Sequence, residues 1–144
     1  MADPTTRHLE EILKSVDSAA KLEKYLEEPG NISPYDSFSG YFNSLPKVQA
    51  LGAAGLYKAS GIERSLCYKF MNGSKKPGRE KIFRLCLAAG LSSAETRRAL
   101  ESAEQAPLYS RSQRDAVISY AIAQGFSVIE ANDLLDELGL KPLD

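Results

Sequence analysis

Residues 56–90 run LYKASGIERSLCYKFMNGSKKPGREKIFRLCLAAG. An apolar-periodic segment closes at Gly61, a second covers 62–71, and a third begins beyond Pro77, which predicts three helices. Gly61 can take the positive φ that a tight turn between helices demands. Within 62–71, Ile62, Leu66, Cys67 and Phe70 recur at helical spacing and form an inward stripe. Glu63, Arg64, Ser65, Tyr68 and Lys69 are left toward solvent. The loop NGSKKPG between the second and third helices combines turn formers with lysines. Between Lys58 and Arg84 stand eight basic residues (Lys58, Arg64, Lys69, Lys75, Lys76, Arg79, Lys81, Arg84) against two acidic ones, Glu63 and Glu80. That segment carries +6, while residues 1–57 sum to −3 and residues 85–144 to −4, so a total of −1 conceals a strongly basic middle.

Helical periodicity extends to both sides. Leu9, Ile12, Leu13, Val16, Ala19, Ala20, Leu22, Tyr25 and Leu26 mark an amphipathic helix within 1–30 that stops before Glu28-Pro29-Gly30. The stretch PGNISPYDS reads as a connection. A short helix carrying Phe38, Tyr41, Phe42 and Leu45 follows and ends at Pro46, and Tyr35 joins its aromatics in a predicted core cluster. Beyond residue 90, Ser92…Glu95, Ser110…Gln113 and Ser127…Glu130 have capping-box spacing, in which each side chain satisfies the other's unpaired backbone donor. The last two patterns stop at Gly125 and Gly139. The reading is all-α: an N-terminal helix in 1–30, a core over 37–90, and a helical extension over 91–144. The extension either packs on the core or forms a dimer or partner interface.

At 144 residues the chain can bury a substantial core. No apolar run approaches the roughly 18–20 residues of a membrane span, and MADPTTRHLEE lacks the pattern of a secretory signal. A cytoplasmic protein with no membrane partner is expected. Cys67 and Cys86 fall at apolar helical positions and read as buried small hydrophobes in a reducing compartment. There is no Gly-rich phosphate loop, no Ser-His-Asp or Cys-His set, and no metal-ligand cluster. His8 stands alone in the N-terminal helix. Neither catalysis, nor a metal, nor a cofactor is expected.

Several spacings agree with one known pattern. Leu56 occupies an apolar position of one helix, Gly61-Ile62 a turn and its buried aliphatic, and Cys67 and Phe70 the inward positions of the next helix. Asn72-Gly73, three residues and Pro77 make a loop, and Glu80-Lys81-Ile82-Phe83-Arg84-Leu85-Cys86 opens a closing helix. In these features residues 51–90 resemble the Cro/repressor-like helix-turn-helix family, also called the XRE family. The match reaches about 55 residues if the Phe38–Leu45 helix is the family's first. Two positions depart from the family pattern. Ala53 stands where a Gln is common, and Tyr57 stands where a small residue usually faces the recognition helix, so Tyr57 must tilt outward or alter the inter-helix angle.

The resemblance implies a lambda-repressor-like bundle with added N- and C-terminal helices, and sequence-specific binding of double-stranded DNA by a transcriptional regulator. The 62–71 helix would enter the major groove, with Glu63, Arg64, Ser65 and Tyr68 reading bases. Lys69, Asn72, Ser74, Lys75, Lys76 and Arg79 would hold the sugar–phosphate backbone. Such readers usually act as homodimers on paired half-sites. A second reading stays open: the helix-turn-helix shape serves as a protein-docking module. Its partner would sit on the acidic C-terminal helices, where Glu130, Asp133, Asp136 and Glu137 flank Leu134, Leu135 and Leu138, or at Arg111 and Arg114. Those two arginines fall in a predicted first helical turn, where cations oppose the dipole.

Overall fold

A computed structural model describes residues 37–144, and these hold seven α-helices and no strand. The helix expected within 1–30, His8 and Tyr35 lie outside the described residues.

Helix α1, Phe38–Ser44, starts at Ser37, whose hydroxyl accepts the Gly40 N–H at 3.1 Å. It buries Phe38 and Phe42, stacked with ring centroids 5.0 Å apart. Pro46 opens α2, Pro46–Ser60, as well as closing the helix before it. The fixed φ of proline suits a first helical position, where no N–H is needed. Gly52 interrupts α2 with φ 72° and ψ 166°, a conformation essentially restricted to glycine. The element is therefore an opening turn followed by a helix proper over 53–60. Gly61, at φ 71°, then reverses the chain into α3, Arg64–Asn72.

The remaining helices are α4, Arg79–Ala89; α5, Ser93–Ser102; α6, Gln113–Gln124; and α7, Val128–Glu137. Reciprocal capping boxes form at Ser92/Glu95 and Ser127/Glu130, as the spacing predicts. The box expected at Ser110/Gln113 does not form. Residues 109–112 make a turn of their own, closed by the Ser112 N–H on the Tyr109 carbonyl at 2.9 Å. Ser112 becomes the cap and receives the Asp115 N–H. Arg111 consequently precedes the helix, and only Arg114 lies in its first turn.

Helix α4 packs against α2, α5, α6 and α7. Ile82, Phe83, Leu85 and Cys86 on α4 are fully buried, together with Phe42, Leu56, Leu100, Ile118 and Leu135 from five other helices. Each large aliphatic or aromatic side chain buried this way stabilises the fold by roughly 1.5–3 kcal/mol before conformational entropy is counted. One apolar cluster thus runs from α1 to Leu143 beyond α7, and the 91–144 segment is part of the same core as 37–90. Both cysteines are free and buried in it. Burial pushes the Cys86 thiol up to about 12.

Candidate nucleic-acid interface

The turn at Gly61 and the cap at Glu63 set the pose of α3. Both Glu63 carboxylate oxygens accept backbone N–H groups of the first turn, from Ser65 at 2.9 Å and Leu66 at 3.0 Å. Those two bonds hold its carboxyl below the usual range. Glu63, expected to read a base, is thus turned onto its own helix. Behind α3 lie buried Ile62, Cys67 and Phe70; in front, Arg64, Ser65 and Lys69 are exposed and Tyr68 is half-buried. The inward and outward sets match those read from helical periodicity, with Leu66 half-buried between them.

The loop after α3 is fixed by its own polar groups. Asn72 Oδ1 accepts the Ser74 N–H at 2.8 Å, and the Lys69 carbonyl accepts the Lys75 N–H at 3.2 Å and the Ser74 hydroxyl at 3.5 Å. Asn43 Nδ2 donates to the Met71 carbonyl at 2.8 Å and ties the end of α3 to α1. Pro77 is buried at the loop's end. This leaves Lys75 exposed and in no salt bridge with the described residues, while Lys76 pairs loosely with exposed Glu104 at 3.3 Å. Lys69 and Lys75 flank the exposed α3 face, and the Asn72 and Ser74 side chains brace the loop from within.

Arg79, expected at the phosphate backbone, points the other way. Its guanidinium grips Asp115 with two bonds, of 3.0 and 2.6 Å, and donates to the carbonyls of Ala106 at 3.0 Å and Pro107 at 2.8 Å. It also lies over the Phe83 ring, 4.9 Å from the centroid. The Arg79 hydrogen bonds hold the Asp115 carboxyl below its ordinary range. Arg84 donates to the carbonyls of Ser60, Leu143 and Asp144 at 3.0, 2.9 and 2.9 Å. Arg114 forms a two-pronged pair with Glu80 and donates to the carbonyls of Lys141 and Pro142. These three arginines fasten the C-terminal helices to α2 and α4. Partners so far apart in sequence leave no local spacing signal, so the sequence reading puts Arg79 at the phosphate backbone and counts Arg84 only as one of the basic residues of the segment.

What remains on the α2–α3 side is Lys58, Arg64, Lys69, Lys75 and Lys76, all exposed. Arg64 differs from the arginines that face inward. Its guanidinium carbon lies 5.7 Å from the Tyr57 ring centroid and 5.6 Å from that of Tyr68. The two rings are themselves 6.4 Å apart and tilted by 41°. Tyr57 is half-buried along α2, and its ring lies beside the Arg64 and Tyr68 side chains of α3. Exposed donors, an aromatic pair and flanking lysines together make a surface suited to a polyanion that also presents base edges.

Comparison with family models, curated proteins and solved structures finds no match for this chain. No described helix is long and apolar enough to cross a membrane.

Proposed function

We propose that this chain is a cytoplasmic, sequence-specific double-stranded-DNA-binding transcriptional regulator of the Cro/repressor-like helix-turn-helix kind, with α3 as its recognition helix. One observation carries the reading: exposed Arg64, Ser65 and Lys69 and half-buried Tyr68 share the outward face of α3, backed by buried Ile62, Cys67 and Phe70 and flanked by the lysines of a braced loop. Insertion of α3 into the major groove puts Arg64 in reach of guanine O6 and N7, and Ser65 and Tyr68 in reach of neighbouring bases. Lys69, Lys75 and Lys76 supply sequence-independent, salt-sensitive affinity. Arg79 and Glu63 have structural roles in this reading, as core clamp and helix cap. Two half-sites about one helical turn apart would be served by a homodimer.

The test is fluorescence-anisotropy titration of a random duplex pool across salt, followed by sequencing of the bound fraction. A steep salt dependence with an enriched motif supports the reading, and absence of binding at low salt refutes it.

A second reading, a protein-docking module, is favoured by a different observation. Ala116, Val117 and Tyr120 of α6, Leu134 of α7 and Leu138 at its C-cap line an open apolar groove, with Tyr120 and Leu138 each more than half exposed. If that groove alone carries the activity, replacing Lys69 and Lys75 leaves function intact while Leu134→Glu abolishes it.

A further inference from the structure

We infer that Tyr57 is a positioning residue which, with Tyr68, fixes the Arg64 guanidinium for reading guanine; the inference rests on the DNA-binding reading above. The contrast among the arginines is the starting point. Arg79, Arg84 and Arg114 are held by carboxylates and carbonyls, so their N–H groups are already engaged. Arg64 makes no such hydrogen bond with the described residues, yet it is not simply free in solvent. Two ring faces lie within the roughly 6 Å reach of cation–π attraction, at 5.7 and 5.6 Å from its guanidinium carbon. Ring faces restrain a guanidinium without consuming a donor, so all five N–H groups remain for an outside acceptor.

The restraint is built from two helices. Tyr68 lies one turn beyond Arg64 on α3, the neighbourly i, i+4 relation. Tyr57 comes from α2, across the Gly61 turn, and its ring completes a triangle with Tyr68 at 6.4 Å. A small residue at 57 would leave Arg64 against one ring and free to swing. Lys58 Nζ also lies 6.0 Å from the Tyr57 ring centroid, so two cations lie near this ring. Guanine is the base that fits: its O6 and N7 accept two parallel donors from one guanidinium. Affinity for such a bidentate contact rises when the side chain is already ordered, because less rotamer entropy is lost on binding.

The experiment uses the duplex that wild-type protein selects from the random pool, the same duplex with 7-deazaguanine at each half-site guanine, and a scrambled duplex. Anisotropy is measured for wild type, Tyr57→Phe, Tyr57→Leu and Arg64→Ala, with thermal melts to verify folding. One exposed cation–π contact corresponds to about a two- to fivefold effect. Tyr57→Leu is therefore expected to cut discrimination between guanine and 7-deazaguanine by that factor, with affinity for scrambled duplex unchanged. Tyr57→Phe, which keeps the ring, should retain the discrimination, and Arg64→Ala should have none. Equal losses on selected and scrambled duplexes in Tyr57→Leu would reduce Tyr57 to a packing role and overturn the inference, as would unmoved discrimination or a selected site without guanine. Failure of wild type to bind any duplex refutes the DNA reading itself.

Discussion

Replacing Asp115 by Ala tests the clamp that turns Arg79 inward. The carboxylate accepts two bonds from Arg79 and a third from the Tyr109 N–H at 2.9 Å. Its side chain is 10% exposed and that of Arg79 is 25% exposed. Removing one partner of a buried pair costs about 3–5 kcal/mol, chiefly because the other charge is left unpaired. Here Arg79 keeps two carbonyl acceptors and partial access to water, so the expected loss is about 2–3 kcal/mol. At roughly 3–4 °C per kcal/mol for a unit of this size, Tm falls by roughly 6–12 °C. The double variant Arg79→Ala/Asp115→Ala should lose less than the two single variants added together. The effect also has a pH signature. The folded-state carboxyl of Asp115 is held below its ordinary range, so its contribution is complete above the unfolded-state value and is lost as pH falls through the folded one. The gap between wild type and Asp115→Ala is therefore full at pH 7 and closes on acidification below about pH 4. Differential scanning calorimetry across pH measures it. A Tm shift under about 2 °C at pH 7 would refute the clamp.

Three further outcomes follow from the same geometry. Gly61→Ala places a Cβ 2.9 Å from Arg84 Nη1 at a left-handed φ, whereas Gly90→Ala at φ 65° meets nothing within 4 Å; denaturant melts should show about 1 kcal/mol for strain alone at Gly90 and a clearly larger loss at Gly61. Leu143→Ala, at a side chain only 4% exposed beyond the last helix, should cost about 2–3 kcal/mol in urea unfolding. In anisotropy titrations, Lys69→Ala and Lys75→Ala should each lower the logarithmic salt slope by about 0.9, while Arg79→Ala leaves the slope unchanged.

Local patterns were legible wherever local chemistry decides the structure. Periodicity assigned the inward and outward faces of α3, and the left-handed glycines at 61, 125 and 139 fall at helix ends because few other residues tolerate that φ. Both Ser–Glu spacings of the three capping-box candidates made reciprocal boxes. The third pairs Ser with Gln, and there Asp115, committed to Arg79 and the Tyr109 N–H, anchors a separate turn that delays the helix. The glycine break at position 52 gave no signal, since a glycine in an apolar helical run does not announce which φ it adopts. The position of Tyr57 against Arg64 depends on the angle between α2 and α3, a tertiary quantity that spacing does not encode.

The same distinction governs the candidate site. Net charge along the chain counts Arg64, Arg79 and Arg84 alike, yet a guanidinium's capacity to bind an external anion depends on which acceptors the fold has already given it. Arg84 meets three carbonyls, and Arg79 a carboxylate and two carbonyls. Both therefore hold the C-terminal helices, and their donors are already engaged rather than open to an external anion. The lysines at 69 and 75 reach solvent without a salt bridge to any described residue, and Arg64 is restrained by rings that leave its donors open. Sequence composition thus identifies a basic segment, and the fold separates the clamped Arg79 and Arg84 from the exposed Lys58, Arg64, Lys69, Lys75 and Lys76. On the proposed DNA-binding reading, substitutions in the clamped set should move Tm at constant salt dependence, and substitutions in the exposed set should do the reverse. A variant set that failed to separate along those two axes would mean that the basic face and the core clamp are one energetic unit.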